Sequence, residues 1–151
     1  MRRRNLLKLA LAMTPASLLA TRADAETNTK SDAPQAAKVV YHLADLDKVE
    51  FVFGNIANHY KGMGGPENVT IALVVHGPAL KAFHAEGASP DVAKRIADLV
   101  KSGLAPNACI FAMQAQNVTL ADLLPGFAVA DKGGVVRLAQ LQAQGYAYLR
   151  P

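Results

Sequence analysis

The run Thr70-Ile71-Ala72-Leu73-Val74-Val75 is almost unbroken in its apolar character, and His76-Gly77-Pro78 ends it. A short apolar run without polar alternation is typical of a strand that is covered on both faces. Strands of this kind belong to parallel sheets, which lie between layers of helices. The run therefore predicts a central strand of a parallel sheet and places the chain in the α/β class.

On both sides of this run, short apolar segments alternate with segments of helical periodicity. Ser89-Pro90-Asp91 supplies a helix cap, a first-position proline and a first-turn acid. Such alternation predicts βαβ units with right-handed crossovers and a mainly parallel sheet of about five strands. The predicted strands are residues 38–43, 70–75, 104–109, 127–130 and 146–149.

Several helix limits are predicted from local signals. Asp47 with Glu50 three residues later resembles a capping box at the start of the first helix. A short helix is expected over 79–85 and another over 110–116, with Asn117 in the left-handed conformation that ends a helix.

The last helix is expected to turn an apolar stripe towards the sheet. Val135, Leu138 and Leu141 have the spacing of such a stripe, and Gln142 lies on it seven residues after Val135. A polar side chain at that position needs a partner, so Gln142 is expected to meet a strand end or another subunit.

The first 25 residues have the pattern of an export signal. Basic residues at positions 2–4 precede a short apolar run, and Ala23-Asp24-Ala25 offers a cleavage site. Arg3-Arg4 followed by Leu6-Leu7-Lys8 resembles the twin-arginine consensus. A membrane anchor is the alternative, but the apolar run is shorter than the ~20 residues that a spanning helix needs. We therefore predict a twin-arginine signal at 1–25, a flexible polar linker at 26–36, and a periplasmic domain at 37–151.

Removal of this leader changes the charge of the protein. The full chain has 16 basic and 12 acidic side chains, and the leader contains five of the basic and one of the acidic residues. The mature chain is left with 11 of each, so its net charge is near zero. Nucleic-acid binding therefore has no electrostatic support. No membrane association is expected after cleavage.

The chain has a single cysteine, Cys109. Exported proteins usually pair their cysteines, and this chain has no second one for an internal disulfide. Cys109 is therefore buried and inert, bridged to another chain, or used for chemistry.

Two candidate site residues are expected at one edge of the sheet. Ligands of open α/β sheets bind beyond the carboxyl ends of the strands. Cys109 lies where the third strand gives way to a helix, and helix amides there favour a thiolate, which can attack sulfane sulfur. His76 follows the central strand and is expected to orient a ligand or hold a proton. Packing of Cys109 in the core and a backbone hydrogen bond from His76 are the alternatives.

Metal and phosphate sites are not expected. His42, His59, His76 and His84 do not show ligand spacing, and one cysteine does not make a closed zinc site. The glycine-rich segment 62–65 follows a helix, whereas a phosphate-binding loop follows a strand. No cofactor is therefore predicted.

Six segments of the chain have the order and spacing of a known family. They are 39–43, 55–58, 74–78, Cys109 with Asn117-Val118, 122–125 and, most specifically, 141–151. From about Lys38 to the C-terminus the chain resembles the DsrE/DsrF-like family. The resemblance implies a three-layer α/β/α fold, assembly into trimers or hexamers, and relationship to carriers that hold sulfur as a cysteine persulfide on the residue matching Cys109. The chain departs from the family at Asn117, where glycine is common, and at residues 110–113, which are apolar where the family commonly has basic or polar residues.

Two functions from different classes follow. The first is a periplasmic sulfur-handling protein in which Cys109 accepts a sulfane sulfur from a donor protein and passes it on, with help from His76. The second is a non-catalytic oligomeric subunit that binds a small ligand or serves as a scaffold, with Cys109 buried.

Overall fold

The computed structural model describes residues 36–151. The predicted signal and all but the last residue of the predicted linker lie outside them. Five strands form one sheet in the order β4-β3-β2-β1-β5, and all neighbouring strands are parallel. This confirms the predicted α/β class and the five strands. The strands are β1 Ala37–Leu43, β2 Val69–Val75, β3 Ala105–Cys109, β4 Ala128–Ala130 and β5 Ala147–Leu149.

Four α-helices cover the sheet, with 3-10 turns between them. The segment predicted as a helix over 79–85 is instead a 3-10 helix at Gly77–Phe83. No helix within residues 36–151 is both long and apolar enough to cross a membrane. The helices are α1 Val49–Gly62, α2 Pro90–Lys101, α3 Ile110–Ala115 and α4 Gly134–Ala143.

The sheet has an apolar cluster on each face, as a three-layer fold requires. Ile71, Leu73 and Val75 of β2 belong to the larger cluster, which includes residues of α1, α2 and α3. Ala72 and Val74 point to the other face, where Leu138 and Leu141 of α4 complete a smaller cluster. The central strand is therefore covered on both sides, as its sequence predicts.

The predicted capping box at the first helix is not formed. Asp47 lies in a 3-10 turn, Leu46–Lys48, and α1 begins after it without a side-chain cap. Glu50 instead pairs with Arg95 of α2. The chain leaves β1 through the tighter turn, so the helix begins too late for Asp47 to cap it.

The apolar stripe of α4 is rotated from its predicted position. Val135 is 69% exposed and Gln142 is exposed, whereas Gly134, Leu138 and Leu141 are buried. Gly134 faces the strand ends and lets the helix approach them closely. A hydrophobic pattern does not register Gly134, because it has no side chain. The prediction that Val135 and Gln142 face the sheet was therefore wrong.

Ser89 caps α2 as predicted, since its Oγ accepts a hydrogen bond from the Val92 amide at 3.2 Å. Replacing Ser89 with alanine leaves that amide without its cap. We expect Ser89→Ala to lower the free energy of unfolding by about 1 kcal/mol in urea denaturation. Ser102→Ala at the other end of the same helix is the control, and an equal loss in both variants would contradict a specific capping role.

Candidate functional site

The carboxyl ends of three neighbouring strands bring the candidate residues together. Val75 of β2 is paired in register with Ala108 of β3, so His76 and Cys109 follow at adjacent positions. His42 on β1 is paired with Val74, two residues before His76. The predicted pair of site residues therefore meets at the predicted edge of the sheet.

Gly134, the first residue of α4, lies between Cys109 and His76. A β-carbon built at Gly134 would be 3.2 Å from the Cβ atoms of both residues. Contacts this short leave little room for a side chain at Gly134. Cys109 is 6% exposed, and its side chain makes no capping hydrogen bond to α3. The thiol is therefore held in a confined position at the end of β3.

A histidine pair with a tyrosine lies at the same strand ends as Cys109, and sequence reasoning missed it. The Nε2 atoms of His42 and His76 are hydrogen-bonded, and the two rings stack with centroids 4.6 Å apart. Tyr148 of β5 contributes its hydroxyl, 2.6 Å from Nδ1 of His42. The three side chains form a continuous path from a 40% exposed tyrosine to a histidine beside Cys109.

The environment of this pair favours uncharged imidazoles. The pKa of His42 is lowered to about 4, mainly by burial and also by the neighbouring His76 and Arg150, against the opposing effect of Asp45. Burial also lowers the pKa of His76, again with Arg150 adding to the effect. Both rings are therefore neutral at neutral pH, and one Nε2 donates its proton to the other. When the Tyr148 hydroxyl donates to His42, His42 donates to His76. When Tyr148 accepts from His42, His76 donates to His42 and its own Nδ1 is free to accept a proton.

The lowered pKa values make stability depend on pH. The unfolded chain binds protons on His42 and His76 near pH 6.5, whereas folded His42 resists protonation until about pH 4. Above pH 6.5 the histidine pair does not reduce the free energy of unfolding. As the pH drops towards 4 this free energy falls, because the unfolded chain binds protons that the folded histidines do not. After allowance for solvent screening, we expect a loss on the order of 1–2 kcal/mol, measured by urea denaturation between pH 7 and pH 4.5. A His42→Asn variant should show a smaller slope, and an equal slope would contradict this assignment.

The remaining histidines lie elsewhere. His59 is hydrogen-bonded to the Tyr41 hydroxyl, and His84 to Gln116. Within residues 36–151, no three His, Cys, Asp or Glu side chains are grouped so that they could hold a metal ion.

Comparison with known structures supports the fold. The chain is similar to MTH1491 of Methanobacterium thermoautotrophicum, a protein of unknown function, with 25% identity and a TM-score of 0.67 over 76% of this chain and 99% of that one. It is also similar to the YchN protein of E. coli, with 15% identity and a TM-score of 0.59 over 78% and 100% of the two chains. BT1422 of Bacteroides thetaiotaomicron, of unknown function, matches with 18% identity and a TM-score of 0.57 over 76% and 94%.

No curated protein matches the sequence. The sequence profile of the DsrE/DsrF-like family matches residues 44–151, which is most of the chain and nearly all of the described domain. The profile covers β2 to β5 and both predicted site residues. The chain therefore belongs to the DsrE/DsrF-like family.

Proposed function

We propose that this protein is a periplasmic sulfur carrier in which Cys109 accepts a sulfane sulfur and relays it as a persulfide. The observation that supports this most is the position of the thiol. Cys109 ends β3 at the ligand-binding edge of the sheet, beside His76 and a hydrogen-bonded path to an exposed tyrosine.

The transfer step needs no oxidant or reductant. The Cys109 thiolate attacks the terminal sulfur of a donor persulfide, R–S–SH. A bond forms between Sγ and that sulfur while the donor S–S bond breaks. The donor leaves as the thiolate R–S⁻, which takes up the proton that Cys109 released. Passing the sulfur to an acceptor thiolate repeats the step with Cys109 as the leaving group.

The histidine pair gives the thiol proton a route. His76 takes up the thiol proton on its free Nδ1 when its Nε2 carries the hydrogen shared with His42. His42 in turn is hydrogen-bonded to the hydroxyl of Tyr148, a residue that is 40% exposed. The proton can therefore be passed towards Tyr148 and solvent, from which the released donor thiolate takes up a proton. Since burial lowers the pKa of His76, the imidazolium releases that proton readily.

Export and assembly belong to the same proposal. The twin-arginine pattern of residues 1–25 supports delivery to the periplasm. Exposed apolar side chains on α4 and β5 support a homo-oligomer, a trimer or hexamer, because they would be covered by another subunit. Light scattering of the mature protein should give three or six times the mass of one chain, whereas a stable monomer would contradict this part. These side chains are Val135, Val136 and Leu149.

A scaffold or ligand-binding subunit is the second candidate. The burial of Cys109 with Ala112 and Met113 in the larger apolar cluster favours it, because buried free cysteines often only pack. Such a protein would keep its thiol closed to reagents in the folded state.

Alkylation kinetics separate the two functions. The native protein is treated with iodoacetamide at neutral pH, with a urea-unfolded sample alongside. Because Cys109 is the single cysteine, each adduct reports on it alone, and Cys109→Ser gives the blank. The carrier is expected to label in its native state, because its thiol must reach a donor and an acceptor. Labelling that occurs only after unfolding would favour the scaffold.

A further inference from the structure

A cavity of about 260 Å³ opens beside the candidate site, between β4 and the start of α4. Ala130, a residue of its wall, is the register partner of Cys109 on the neighbouring strand. Asn107, another wall residue, precedes Cys109 by two positions on β3, and Gly134 at the start of α4 lies against the Cβ of Cys109. The wall of the cavity therefore includes the residue that is paired with Cys109 on the neighbouring strand.

The polar side chains of the cavity favour an anion. Arg137 and Lys132 line it against one carboxylate, Asp131. Among residues 36–151 the ion pairs involve other side chains, so neither cation of the cavity has a carboxylate within salt-bridge distance. An arginine without an acidic partner in a concave site is suited to bind an oxyanion through its paired N–H groups.

The guanidinium of Arg137 is held in place by Asn107. Its Nε donates a hydrogen bond of 3.1 Å to Oδ1 of Asn107, which is 5% exposed. Asn107 is fixed in turn, because its Nδ2 donates to the carbonyl of Ala105 at 2.9 Å. Anchoring through Nε leaves the two terminal nitrogens of the guanidinium for a ligand. The guanidinium is thus oriented before any ligand arrives, which lowers the entropic cost of binding.

From this arrangement we infer that the cavity is a subsite for small sulfur oxyanions, and that the sulfur donor is of the thiosulfate class. The donor assignment rests on the proposed function, whereas the anion site does not. The Cys109 thiolate attacks the outer sulfur of thiosulfate and forms the Sγ–S bond. The S–S bond of thiosulfate breaks, and sulfite leaves with the electron pair as SO₃²⁻. Arg137 stabilises the negative charge that grows on the departing oxyanion.

Binding is measured first without transfer. Thiosulfate, sulfate and phosphate are titrated calorimetrically into the Cys109→Ser protein at matched ionic strength. Thiosulfate and sulfate are expected to bind. Arg137→Gln in the same background should lower their affinity by about tenfold to one hundredfold, because the charge-assisted hydrogen bonds are lost. Lys132→Gln should weaken binding less and Asp131→Asn should strengthen it. Lys101→Gln, an exposed cation at the end of α2, should change nothing.

The possible results distinguish failure of the anion subsite from failure of the proposed sulfur transfer by Cys109. No binding to the Cys109→Ser protein, or equal binding in the folded Arg137→Gln and Lys132→Gln variants, would overturn the subsite even if polysulfide loads Cys109. Tighter binding of phosphate than of both sulfur oxyanions would overturn the donor class. If thiosulfate binds as expected but neither thiosulfate nor polysulfide leaves sulfur on wild-type Cys109, the carrier fails and the anion site stands.

Discussion

Replacing Phe83 with alanine is expected to lower the free energy of unfolding by about 3–5 kcal/mol, a large share of the stability of a domain this size. Phe83 is fully buried at the end of the 3-10 helix that follows β2. Its ring packs edge-on against Phe53 of α1 and Phe127 before β4, with centroids 6.0 Å and 5.1 Å away. The substitution removes both aromatic contacts and leaves a cavity at the centre of the larger apolar cluster.

Phe51 provides the matched control, because it lies on α1 with 57% of its surface exposed. Phe51→Ala is expected to change stability by no more than about 0.5 kcal/mol. Should Phe83→Ala not fold, Phe83→Leu keeps most of the volume and should lose about 1–2 kcal/mol. Urea denaturation of all three variants decides the matter, and similar losses at positions 51 and 83 would contradict the packing described here.

Replacing His76 with glutamine is expected to slow sulfur loading of Cys109 by roughly one hundredfold, the effect of removing a general base. Glutamine keeps a polar side chain at the strand end but cannot take up the thiol proton. The rate is followed by mass spectrometry after mixing with polysulfide at neutral pH. The difference in loading rate between the variant and wild type should become smaller at high pH, because hydroxide then removes the thiol proton of Cys109.

His84→Gln is the control for this variant, since His84 lies away from the site and is hydrogen-bonded to Gln116 at 2.9 Å. Circular dichroism of both variants checks that the fold is intact. Equal loading rates in His76→Gln and wild type would exclude His76 as the proton acceptor. Equal slowing in both variants would show that the effect is structural. A purely packing role for His76 also predicts no change in the pH profile.

The sequence predicts those parts of the fold whose signals are local. The apolar run of β2 and the capping serine of α2 both appear where expected, because each depends on a few neighbouring residues. The left-handed Asn117, with a φ of 53°, also appears where it was predicted to end a helix. The phase of α4 was wrong because its closest contact is made by Gly134, whose lack of a side chain carries no hydrophobic signal.

Of the candidate site, the sequence predicts His76 and Cys109 but not the contact of His42 with Tyr148. Residues that follow consecutive parallel strands meet at one edge, so His76 and Cys109 could be placed together from the sequence. The contact of His42 with Tyr148 depends on β5 lying beside β1. Strand order is set by crossovers over the whole sheet, and the alternation of strands and helices does not encode it. A histidine next to the end of a buried strand was the available signal for His42.

Intact-mass spectrometry of the mature protein after polysulfide treatment shows whether Cys109 carries sulfur. Wild-type protein is compared with Cys109→Ser, before and after addition of a reductant. We expect a gain of one or more sulfur atoms on wild type alone, which the reductant reverses. An unmodified wild-type mass, with a thiol that reacts only after unfolding, would contradict it and leave Cys109 as a residue of the core.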